Sequence, residues 1–170
     1  MQNRRVALIL LPTLFCLLLA TALRTSAQAT STPEERAQWV ETTHKLENAP
    51  LDEAVNNQGD AALKRLSEVH EIHVPLCPAL LNEFSGMKYA YSHAITRQYM
   101  LASGAFIIEN PAKAGDTNAM NLAAVESVLK VYSGILQQKP DAKSKALDDL
   151  LKQQSQGKLK DSIQKQCHSG

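Results

Sequence analysis

The sequence predicts an all-α fold: a single helical domain of about six helices, orthogonal or bundle-like, closed by one disulfide. Three observations lead there. Beyond position 30, apolar residues recur at steps of three and four, the period of one helix face, and no stretch alternates as a half-buried strand would. Helix-start and helix-stop residues punctuate the chain at intervals that suit short helices. Two cysteines, Cys77 and Cys167, remain once an apolar leader is set aside.

The elements follow in order. Ser31-Thr32-Pro33-Glu34-Glu35 is a helix start: Thr32 can cap, Pro33 suits the first helical position, and two acids face the positive end of the helix dipole. This helix carries Trp39 and Val40 and ends before Asn48-Ala49-Pro50. A single turn is expected at Leu51–Val55, a loop at Asn56–Gly59, and a helix capped by Asp60 that carries Leu63, Leu66, Val69 and Ile72. Pro75 and Pro78 force an extended corner around Cys77. A short helix spans Ala79–Phe84. The stretch from about Met87 to Glu109 is apolar on most faces, which marks a central helix. Asn118 can cap the next helix, whose stripe of Leu122, Val125, Leu129, Tyr132 and Leu136 is the cleanest in the chain. Leu147, Leu150 and Leu151 mark another helix, ended by Gln156-Gly157. Leu159, Ile163 and Cys167 share one face of a last short one.

Residues 1–29 read as an export signal. Arg4 and Arg5 supply charge, Val6–Ala22 is almost wholly apolar, and Ala27-Gln28-Ala29 offers a small-x-small cleavage site of bacterial style. Cleavage leaves residues 30–170 as the helical domain, periplasmic or secreted. A leader that stays uncleaved would make the protein a membrane-tethered structural one, and no later segment reads as long and apolar enough to span a bilayer. The leader holds three arginines and no acid, so the remainder carries 15 basic against 17 acidic residues, a net charge of −2. That balance offers no basic stripe for nucleic acid and no attraction to an anionic membrane surface.

In an oxidising compartment Cys77 and Cys167 are expected to bond, clipping the last helix to the Pro-Cys-Pro corner. Candidate chemistry is sparse. His70 and His73, three apart at the expected end of a helix, could share a metal ion with a third ligand from elsewhere. The structural reading places both on the last helical turn, bonding terminal carbonyls. Half-buried and neutral, they would charge in acid and loosen that helix end. Tyr89, Tyr91, His93 and Tyr99 could line a ligand pocket, with Trp39 and Glu83 as lesser candidates, or could simply be aromatics at the core edge. Glu126 lies near an apolar stripe without further support. No catalytic residue and no cofactor is assigned: the Cys-x-x-Cys-His of covalent haem is missing, as are a serine elbow, a phosphate-cradling glycine loop and a calcium loop.

The expected function is non-catalytic binding of a protein, a peptide or an apolar small molecule. The alternative is a metal-dependent or hydrolytic enzyme using His70 and His73. The layout is similar to that of small periplasmic helical proteins with one disulfide, including acid-stress chaperones. The likeness is one of architecture and implies no residue roles.

Overall fold

A computed structural model describes residues 30–168, so the expected signal at 1–29 lies outside the described residues. Seven α-helices and one 3-10 turn make up the described chain, close to the six or so expected. They are α1 (Pro33–Asn48), α2 (Glu53–Glu68), α3 (Pro78–Gly86), α4 (Ser92–Glu109), α5 (Thr117–Gln138), α6 (Lys145–Ser155) and α7 (Leu159–His168), with the 3-10 turn at Pro111–Lys113. No strand occurs among the described residues.

Helix α1 begins where its caps direct. The Thr32 hydroxyl accepts from the Glu35 amide at 3.2 Å, and the Glu35 carboxylate accepts from the Thr32 amide at 2.8 Å. This reciprocal capping box satisfies two amides that the first turn leaves orphaned. Helix α2 departs from the expected layout. It starts at Glu53 with Asp52 as its cap and runs straight through Asn56–Gly59, where a loop was expected. Gly59 explains the run. A Cβ there would lie 2.9 Å from Leu46 Cδ1 and 3.1 Å from Arg97 Nε, so the glycine lets α2 approach α1 and α4 closely. Asp60 is therefore mid-helix and bonds Arg97 instead of capping. Helix α5 is capped by Asp116, whose carboxylate accepts from the Ala119 amide at 3.0 Å, rather than by Asn118.

Helices α4 and α5 form the central pair. Helix α1 lies against both, α2 packs on α1 and α4, α3 on α4 and α7, and α6 and α7 close over α5. Helix α5 has the length and apolarity of a membrane span, contrary to the expectation for the region after the leader, but 56% of that stretch is buried by its neighbours. It is the core helix. Its buried face is wider than the expected stripe and includes Met120, Ala124, Val128, Val131 and Ile135.

The apolar interior falls into two clusters. The larger runs through α3, α4, α5, α6 and α7 around Phe84, Tyr99, Leu129 and Ile163. The smaller joins α1, α2 and α4 through Trp39, Leu46, Leu66 and Leu101, and continues into Val69 and Ile72 beyond α2. Cys77 and Cys167 are bonded, with Cα atoms 5.5 Å apart, tying the start of α3 to the last turn of α7.

Candidate functional site

Among the described residues, the stretch from Val69 to Cys77 is the longest irregular segment that carries large apolar side chains. Helix α2 stops at Glu68, and Val69 is already extended at φ −90°, ψ 140°. His70 and His73 thus lie past the helix, not in its last turn, and both are exposed. The prolines explain why the chain stays extended: Pro75 and Pro78 disfavour helix in the residues that precede them. Val69 and Ile72 fold back into the smaller cluster, while Val74 and Leu76 are half-buried.

This arrangement leaves an open cleft of about 290 Å³ between the last turns of α2, the extended segment and α4. Leu63, Leu66, Val69, Ile72, Val74, Leu76 and Met100 supply its walls, and Ser67, His70 and His73 its polar edge. The cleft follows the seam between the two apolar clusters. Leu63, Leu66 and Val74 belong to the smaller, and Leu76 and Met100 border the larger. Gly104 brings α2 close here, since a Cβ at that position would lie 2.9 Å from Leu66 Cδ2.

The segment is braced from behind. Glu71 accepts from both the amide and the hydroxyl of Ser31, and Arg36 Nη2 lies 3.4 Å from the same carboxylate oxygen. Arg36 Nε donates to the Ser31 hydroxyl at 2.8 Å. Arg65 Nε donates to Glu35 at 3.1 Å, and its Nη2 donates to the Thr30 carbonyl at 3.1 Å. The hydrogen bonds from Ser31 hold the Glu71 carboxyl down at about 2. Those from the Thr32 amide and Arg65 lower that of Glu35.

The other expected site residues are dispersed. Tyr89 and Tyr91 meet edge to face at 5.5 Å between centroids, and Tyr89 meets Tyr132 at 6.1 Å. Both precede the body of α4, which starts at Ser92 rather than near Met87. Tyr89 donates to the Ala142 carbonyl at 3.1 Å, and burial pushes its hydroxyl up to about 12. Tyr99 is separate and fully buried. It stacks edge-on with Phe84 at 5.4 Å, donates to Asn121 Oδ1 at 2.7 Å and accepts from the Cys77 amide at 3.0 Å. His93 is exposed on the first turn of α4. Glu83 accepts from Gln166 at 2.6 Å, joining α3 to α7. Trp39 is buried beneath a smaller cleft of about 210 Å³ between α1 and α2. Among the described residues no three His, Cys, Asp or Glu side chains stand close enough to hold a metal ion, so His70 and His73 gain no third ligand there.

Sequence reasoning missed a polar groove of about 340 Å³ beside Glu47, Glu126, Lys130 and Ser133. Glu47 is its hub. It accepts from Ser127 Oγ at 2.6 Å and Lys130 Nζ at 3.0 Å, with His44 Nδ1 at 3.4 Å. Gln98 Nε2 in turn donates to Ser127 at 2.7 Å. The Ser127 hydroxyl is buried and commits its proton to a carboxylate, so Ser127, His44 and Glu47 have the composition of a hydrolytic centre without its connectivity. In this groove Glu47 pairs with Lys130, whereas the cleft beside Met100 is lined mainly by apolar side chains. The chain matches no protein-family model, no curated protein and no solved structure.

Proposed function

We propose that this is an exported, non-catalytic binding protein whose site is the apolar cleft between α2, the extended segment and Met100. The partner it suits is a polypeptide that inserts one or two large apolar side chains. The observation that carries the reading is the wall composition: seven apolar side chains line an open cleft of about 290 Å³ with polar groups only at its edge. Small-molecule pockets usually enclose most of their ligand and run from about 300 to 1,000 Å³. A smaller cleft, open along one side, fits an anchor side chain presented by a protein surface. An apolar centre ringed by polar groups also has the anatomy of an interaction patch, and the two exposed histidines supply part of that ring.

The test is binding of labelled Gly/Ser decapeptides carrying paired Leu or Phe residues. Leu and Phe peptides are expected to bind and to shift the NMR signals of Val74, Leu76 and Met100. Val74→Asp, which places a charge on the half-buried wall, is expected to weaken them at least tenfold. Equal binding of all-polar control peptides, or full affinity in Val74→Asp, overturns the reading. A small apolar dye that binds in place of every peptide makes the site a small-molecule pocket.

A further inference from the structure

We infer that Thr30 and Ser31, clasped by Arg65 and Glu71, form a brace that sets the position of the cleft's outer wall, with Glu71 as its positioning residue. The inference rests on the cleft being the binding site.

The wall from Val69 to Leu76 has no helix or sheet ladder to hold it. Two buried side chains, Val69 and Ile72, anchor it on the inner side. Glu71 falls between them in sequence and faces the other way, exposed, taking both hydrogen bonds that Ser31 can offer through its amide and hydroxyl. Arg36 completes the junction by touching Ser31 and Glu71 together. The brace is therefore continuous from the capping box of α1, through Ser31, to the middle of the wall.

Helical phase puts the second clasp on the same side. Arg65 and Glu68 lie on the face of α2 opposite Leu63 and Ser67, which line the cleft. Arg65 reaches from that rear face to Glu35 and to the Thr30 carbonyl, and lies 3.8 Å from Glu68. Both clasps thus grip the chain at residues 30–31 behind the cleft. None of their groups lines the cleft, so any effect on binding must pass through the wall.

The residues involved also adjoin the expected cleavage site after Ala29.

The experiment compares Glu71→Ala, Glu71→Gln and the parent protein by Phe-peptide affinity, amide hydrogen exchange and melting temperature. Glu71→Ala is expected to speed exchange of the amides at 69–76 at least tenfold, to leave those of α4 and α5 unchanged, and to weaken the peptide about tenfold. Glu71→Gln, which keeps an acceptor oxygen for Ser31, is expected to recover most of that affinity. Unchanged exchange at 69–76 in Glu71→Ala, or equal loss across the whole protein, overturns the inference. Val74→Asp separates the two readings. Full peptide affinity in that variant removes the cleft as the site, while faster exchange at 69–76 in Glu71→Ala still upholds the brace. Loss in Val74→Asp with parent-like exchange and affinity in Glu71→Ala keeps the cleft and removes the brace.

Discussion

Arg97 shows how much of this fold turns on single polar residues. Its side chain is only 3% exposed, yet it carries a full charge, held by Asp60 at 2.8 Å and by the Asn56 carbonyl at 3.1 Å. Asp60 is half in water. The pair is therefore asymmetric: removing the acid strands a buried cation, while removing the cation leaves a solvated acid. Asp60→Ala is expected to cost about 2–4 kcal/mol, and Arg97→Met, similar in length but apolar, under about 1.5 kcal/mol. Urea denaturation with matched slopes checks the order, and equal costs would refute the asymmetry. Tyr99 is the counterpart in the larger cluster. Burial pushes its hydroxyl up to about 12, so the protonated form stabilises the fold fully below about 10, and that contribution fades as pH rises through 12. Neither residue's partner was legible in the sequence, because Arg97 to Asp60 and Tyr99 to Asn121 join different helices.

At the level of elements, legibility followed the physics of each signal. Helix α1 was readable because Thr32, Pro33 and Glu35 act locally, within one turn. Helix α2 was not. Asn56-Asn57-Gln58-Gly59 has the composition of a loop, and tertiary approach to Leu46 and Arg97 overrides it. The same limit applies to His70 and His73: periodicity carried the helix past Glu68, where the prolines and the clasp of Glu71 end it. The acid response changes accordingly. Both histidines are exposed and lie past the end of α2. On this segment the acid response is expected from Glu71. Its folded value of about 2 lies below its ordinary 4.5, so its contribution is complete above about 5 and is lost as pH falls from 4.5 towards 2. Helix content and apolar exposure are expected to stay constant from pH 7 to 5. The melting temperature should then fall more steeply between pH 4.5 and 2 in the parent than in Glu71→Gln. Parallel slopes would remove Glu71 from the acid response.

The molecule as a whole joins a large cluster of five helices to a smaller one formed by α1, α2, the segment after α2 and part of α4. The all-helical class and the bond between Cys77 and Cys167 were legible from periodicity and cysteine count. The cleft was not, because it arises where two clusters fail to merge, a property of no single segment. The bond closes 90 residues, for which the chain-entropy model gives about 4.6 kcal/mol. A Cys77→Ser/Cys167→Ser protein is expected to melt well below the parent, with α7 the first helix to lose exchange protection. A thiol assay of the parent should find neither Cys77 nor Cys167 reactive. An unchanged melting temperature would show that α7 docks without its staple.

The distance between those cysteines along the chain has a consequence for biogenesis. Under the export proposed above, the chain is threaded outward from its N-terminus and Cys77 reaches the oxidising side 90 residues before Cys167. During that interval its thiol has one other possible mate, Cys16, which belongs to the expected leader. If the leader is lost promptly, as proposed, the wrong mate is gone before the right one arrives. On that proposal, the order of emergence and scission would proofread the covalent bond.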